Sequence, residues 1–153
     1  MLKILVISEF NFGKNLIAKA YLSDLGGDDF TVECAGFEPG PLNPLVIMIM
    51  KLDGYDLSNC EKPCSVSELL EIGRSYDVVI TVCSKRVDEK CPDFPGQLLR
   101  LNWGHPDPDK MSESRIDRLQ QTITMRDSIK AEVLNFIKAY KEGKLGVLQK
   151  HYG

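Results

Sequence analysis

The chain predicts an α/β fold on a parallel sheet with helices on both faces, and three observations carry this. Residues 3–7, Lys-Ile-Leu-Val-Ile, are a short, largely apolar run rich in β-branched residues, and Asp77 to Val82 is a second such run. Continuous runs of this kind suit strands buried on both faces. Third, segments with helical apolar spacing alternate with the strands in the order strand-helix-strand-helix-helix-strand-strand-helix. Such alternation argues for parallel strands joined by helical crossovers.

Each element has its own signal. After the first run, Leu16, Ile17, Ala20, Tyr21 and Leu25 recur at helical spacing, and Gly26-Gly27 stops that helix. Phe30 to Cys34 reads as the second strand. Asn43-Pro44 starts a helix with proline in its first turn, which Gly54 ends. Residues 58–64 read as a turn-rich segment. Ser65 with Glu68 forms a capping box for a short helix through Leu70. Gln97 to Leu101 reads as a fourth strand. Ser112 or Ser114 caps a long helix to about Lys141, with Ile116, Leu119, Ile123, Val133, Leu134, Ile137 and Tyr140 on one face. Residues 143–153 read as a polar tail, which leaves 1–142 as a single domain.

Composition narrows the function. At 153 residues the chain is one domain of ordinary size, able to bury a real core. Its formal charge of -3 gives no basic excess for neutralising phosphates, so nucleic acid is not an expected partner. No apolar stretch approaches the roughly 20 residues of a membrane helix, and no secretory leader is evident. A cytoplasmic protein is therefore expected. The five cysteines, Cys34, Cys60, Cys64, Cys83 and Cys91, are an odd number, which argues against a disulfide framework.

In an open α/β sheet, ligands sit beyond the carboxyl ends of the strands. The loop from the first strand into the first helix is therefore the first candidate site. A helix N-terminus there presents free N–H groups and the positive end of a dipole, which suits an anion. The segment is Ser8-Glu9-Phe10-Asn11-Phe12-Gly13-Lys14-Asn15.

The position and spacing of Ser8 and Lys14 resemble the phosphate loop of low-molecular-weight protein tyrosine phosphatases and thioredoxin-coupled arsenate reductases. Further segments carry the resemblance in order: Cys34-Ala35-Gly36-Phe37-Glu38-Pro39 with Leu42-Asn43-Pro44, then Gly54-Tyr55-Asp56-Leu57-Ser58, then Asp77 to Cys83. Cys91-Pro92, Phe94-Pro95-Gly96, Trp103-Gly104 and Pro106-Asp107-Pro108 follow. The likeness spans roughly residues 3 to 140. It implies a three-layer fold with a four-stranded parallel sheet between helices. It also implies family roles at three positions: nucleophile at Ser8, anion clamp at Lys14 and general acid at Asp107. Cys83 and Cys91 fall where the reductases carry their two resolving cysteines.

The side chains at those positions argue against the family chemistry. A cysteine thiolate is stabilised by loop N–H groups and a helix N-terminus, but the same field cannot ionise a serine hydroxyl near neutral pH. A serine nucleophile needs a neighbouring base, and the two histidines are His105, in the acid loop, and His151. Lys14 keeps a positive charge without the bidentate fork of arginine. Glu9 places a negative charge beside the cradle, and Phe10 and Phe12 stand where small residues are expected. Gly13 is the loop residue that takes positive φ most readily. Beside an inactive nucleophile, Asp107 reads as a turn residue between prolines.

The remaining candidates are weaker. The resemblance places a potassium-holding glutamate and serine of some arsenate reductases at Lys19 and Cys34, beside the loop residue Asn11. A lysine there supplies its own cation, so no potassium site, and no metal or cofactor, is expected. Cys83 and Cys91 are redox candidates, with a buried core role weighed above a disulfide for Cys83. Cys60 and Cys64 lack the paired spacing and nearby histidine of a thiolate metal site.

Taken together, the residues predict an inactive member of this family acting as a binding or regulatory domain. Its expected ligand is a protein or small molecule at the 8–15 loop. Residual arsenate reductase or phosphotyrosine phosphatase activity is the first alternative, and anion binding without turnover the second.

Overall fold

The computed structural model describes residues 1–9, 13–37, 42–58, 64–82, 91–104, 114–146 and 148. Five strands form one parallel sheet: β1 (Leu2–Ser8), β2 (Phe30–Gly36), β3 (Cys64–Ser65), β4 (Val78–Thr81) and β5 (Leu99–Asn102), in the order β3-β2-β1-β4-β5. Among the described residues, four α-helices flank it: α1 (Lys14–Gly26), α2 (Pro44–Leu52), α3 (Val66–Glu71) and α4 (Arg115–Lys141). The α/β class and the parallel sheet are as expected.

The strand count is corrected from four to five. The added strand, β3, has two residues, paired at Ala35↔Cys64 and Gly36↔Ser65. A strand this short carries no periodicity, and only its pairing with β2 defines it. Ser65 also caps α3, its hydroxyl accepting from the Glu68 N–H at 3.1 Å. β5 begins two residues later than expected. Gln97 donates its N–H to the Phe94 carbonyl in a turn that passes through Gly96 at φ 76°.

Alternating strand residues face two cores, so the helices divide into two layers. Ile4, Val6, Val78 and Ile80 join a large cluster with Leu16, Ile17, Tyr21 and Leu22 of α1, Ile49 and Met50 of α2, and Ile129, Val133 and Phe136 of α4. Leu5, Ile7, Ala35 and Val79 join a smaller cluster with Val66 and Leu69 of α3, Tyr76, Cys91 and Phe94. The centre of β1 is inaccessible on both faces, which is why its sequence is apolar without alternation. Phe30 packs edge-on against Phe136 and Tyr140. Its ring lies where a Cβ on Gly26 would be, 2.2 Å away, so the end of α1 requires glycine for a close approach.

Local chemistry sets the helix starts. The Asn43 side chain accepts from the Leu45 N–H at 2.9 Å, with Pro44 in the first turn of α2. Of the two serines proposed to cap α4, Ser114 does so. Leu145 and Leu148, beyond α4, pack partly buried against the large cluster. No helix among the described residues is long and apolar enough to cross a membrane.

Candidate functional site

The β1–α1 junction lies at the carboxyl end of the central strand, with β2 on one side and β4 on the other. Ser8 ends β1, is 1% exposed, and pairs with Gly36; its carbonyl accepts from the Phe37 N–H at 3.3 Å. Glu9 is partly buried. Helix α1 starts at Lys14, with Gly13 as its N-cap and no capping side chain. Lys14 is buried in that first turn, which contains no acidic residue.

Gly13 has φ -141°, so the ease with which glycine takes positive φ is not used here. A different feature bears on glycine at this position. A Cβ on residue 13 would stand 3.0 Å from Val46 Cγ2 of α2. The close approach comes from a helix thirty residues away, so no local signal marks it.

Asn15 is fully buried and ties the junction to β2. Its Nδ2 donates to the Ala35 carbonyl at 3.2 Å, and its Oδ1 accepts from the Leu16 N–H at 2.9 Å. Cys34, on the opposite face of β2 from Ala35, donates its thiol to the Asn15 carbonyl at 3.3 Å. The first turn of α1 is therefore anchored to β2 on its inner side. Lys19, which the resemblance aligns with a potassium-holding glutamate, is partly buried on the same helix.

Several expected site residues lie outside the described residues: Phe10, Asn11 and Phe12 of the loop, Cys60, Cys83, His105 and Asp107. The structure thus brings together Ser8, Glu9, Gly13, Lys14 and Asn15. Neither histidine is among the described residues, so no imidazole base for Ser8 is described. Cys91 is buried in the smaller cluster, and its carbonyl accepts from Arg100 Nη1 at 2.9 Å. Cys64 is exposed on β3. Among the described residues no group of three or more His, Cys, Asp or Glu side chains could hold a metal ion.

One polar cluster that the sequence did not single out braces the helices behind the junction. Tyr21 of α1 donates its hydroxyl to Asp53 at 2.7 Å, and Lys130 of α4 reaches the same carboxylate at 3.4 Å. The Lys130 ammonium also sits 5.3 Å from the Tyr21 ring centroid. Arg126 donates to the Ile49 carbonyl of α2 at 2.8 Å. The Tyr21 hydrogen bond, with Lys130 adding to it, holds the Asp53 carboxyl below the ordinary carboxylate range. Burial and then Asp53 push the Tyr21 phenol well above its usual value. Beside it, Tyr55 donates to Asp24 at 2.6 Å and is pushed up to about 12 by burial and by that bond. Each partner comes from a distant part of the chain, so no sequence spacing signals the cluster.

No protein-family profile matches the chain. It is 31% identical over 128 residues to an arsenate reductase of Staphylococcus aureus, spanning 82% of this chain and 88% of that one. It is 32% identical over 124 residues to an arsenate reductase of Bacillus subtilis, spanning 81% and 84%. An arsenate reductase solved in its oxidised state superposes with a TM-score of 0.73 at 26% identity, over 90% of this chain and 98% of the other. Wzb of Vibrio vulnificus, solved with benzylphosphonate, shares the fold at a TM-score of 0.69 and 20% identity, over 90% and 97%.

Proposed function

The chain belongs to the arsenate reductase family with the low-molecular-weight phosphatase fold, and from that premise we propose that it is a catalytically inactive member acting as a binding or regulatory domain. The observation that carries this reading is Ser8. It ends the central strand, where the family's loop carries its nucleophilic cysteine, and it offers a buried hydroxyl in place of a thiol. An alcohol gains little from the field that ionises a thiol. Lys14 stands where the resemblance expects arginine, and a single ammonium cannot grip an oxyanion bidentately. Without a thiol at position 8, a relay through Cys83 and Cys91 has nothing to accept from, and Asp107 has no leaving group to protonate.

The ligand in this reading is a protein or small molecule at the 8–15 loop, where Glu9 disfavours phosphate and Phe10 and Phe12 supply apolar surface. Residues 1–142 form the domain and 143–153 a C-terminal tail, from which Leu145 and Leu148 rest on the large core. A cytoplasmic location belongs to the same reading, supported by the odd number of cysteines. A second reading, anion binding without turnover, is favoured by the buried Lys14 in the first turn of α1.

Thioredoxin-coupled arsenate reduction by the wild-type chain and by Ser8→Cys with Lys14→Arg tests the proposal. Background rates are expected for both, since Glu9 and the two phenylalanines remain in the double variant. Wild-type reduction of arsenate overturns the reading; activity of the double variant alone leaves it standing. Calorimetry with inorganic phosphate decides the second reading, for which heat of binding is lost on Lys14→Ala.

A further inference from the structure

At the amino ends of the strands, on the side of the sheet away from Ser8, lies a cavity of about 370 Å³ lined by Lys3, Thr31, Glu33, Ile72 to Ser75, and Tyr76. Lys3 and Ser8 are five residues apart along β1, so this cavity is about 16 Å from the loop. Its volume falls within the range of small-molecule sites.

The lining has a definite chemistry. Two cations, Lys3 and Arg74, face one anion, Glu33, although the whole chain is acidic. Glu33 is bound on both oxygens: Arg74 Nη1 donates to one at 2.9 Å and the Tyr76 hydroxyl to the other at 2.5 Å. It therefore orients Arg74 without cancelling Lys3. The backbone of Lys3 is fixed by a reciprocal pair with Asp77, donating to its carboxylate at 2.8 Å and accepting from its N–H at 2.9 Å. Gly73, at φ 72°, turns the chain after α3, where the Arg74 N–H donates back to the Leu69 carbonyl at 3.1 Å. Ile72 is 66% exposed at the rim, an apolar surface without a partner in the core clusters. Two cations, hydroxyls from Thr31 and Ser75, and one apolar wall together define what fits.

We infer that this cavity is a second binding site, for a small organic anion with a phosphate or carboxylate group on an apolar body. The anion lies between Lys3 and Arg74, and its apolar part rests on Ile72. Glu33 competes with such a ligand for Arg74, so it limits the affinity while the Tyr76 bond keeps its carboxylate in place. The inference stands apart from the proposed function, because the two sites share no residue.

Amide NMR titrations of the full chain with phenyl phosphate and with inorganic phosphate test it. Saturable shifts at Thr31 and Gly73 to Tyr76 are expected for phenyl phosphate, with a Kd on the order of a few millimolar. Arg74→Ala with Lys3→Ser should weaken this at least tenfold. Ile72→Ser should weaken phenyl phosphate and leave inorganic phosphate unchanged. Glu33→Gln, which frees Arg74 while still accepting from Tyr76, should tighten both several-fold. The inference fails if no saturable shift occurs at these residues, or if shifts persist undiminished in the Arg74/Lys3 variant. It also fails if only Gly13 to Asn15 respond, which would locate all anion binding at the other end of β1.

Discussion

Gly13 lies so close to Val46 that a Cβ on residue 13 would stand 3.0 Å from Val46 Cγ2, tighter than an ordinary van der Waals contact. This contact lies where the start of α1 meets the first turn of α2. Gly13→Ala should therefore destabilise the protein by about 1–2 kcal/mol, as overpacking does. Val46→Ala opens the same space, and the double variant should recover part of the loss made by Gly13→Ala. Urea denaturation of the four proteins in the cycle measures this; strict additivity would show that the two residues are not coupled.

Tyr21, Asp53 and Lys130 link α1, the end of α2 and α4. Asp53 has a lower carboxyl pKa folded than unfolded, chiefly through the Tyr21 hydrogen bond. Its contribution to stability is then present above the ordinary aspartate value of about 4 and disappears as pH falls through the lower folded value. Tyr21→Phe removes a hydrogen bond to a charged group and should cost about 1.5 kcal/mol at pH 7. The gap between wild type and variant should narrow below about pH 4, followed by thermal melts across that range.

The alkaline limb has the opposite sign. Tyr55 is pushed up to about 12 by burial and Asp24, and Tyr21 and Tyr76 are raised further by burial and by their carboxylate partners. A raised folded value means stability that is complete below about pH 10 and lost as pH climbs past it. Ultraviolet titration of the five tyrosines should show at least three ionising late, together with unfolding. Tyr55→Phe should move one late phenol out of the curve.

Thiol exposure sorts the described cysteines. Cys64 is exposed, while Cys34 and Cys91 are 8% and 6% exposed. Iodoacetamide should modify Cys64 in the native protein well before the other two, with mass spectrometry of timed samples as the readout. Equal rates would show that the sheet opens around Cys34 or Cys91 far more readily than their burial implies.

The sequence showed most where one local pattern decides the outcome. Ile4 to Ile7 are apolar because both faces of β1 are covered, and Asn43, Ser65 and Ser114 each cap the helix their position suggested. It failed where the cause is distant. β3 exists only through its pairing with Ala35 and Gly36, so a turn was the natural reading. Gly13 stood out for its ease at positive φ, whereas its φ is -141° and its close contact is with Val46 on another helix. The Tyr21–Asp53–Lys130 cluster joins residues up to 109 positions apart, beyond any spacing rule. At the candidate site, the sequence identified Ser8 and Lys14 by register, but the burial of both became visible only with the fold.

The most direct test of the proposed loss of catalysis is hydrolysis of an aryl phosphate by the wild-type chain beside Ser8→Ala. The hydroxyl of Ser8 is the one group at the nucleophile's position, so the two proteins should be indistinguishable from each other and from buffer. Turnover by the wild type that falls at least a hundredfold in Ser8→Ala would contradict this directly, since it would make Ser8 a working nucleophile.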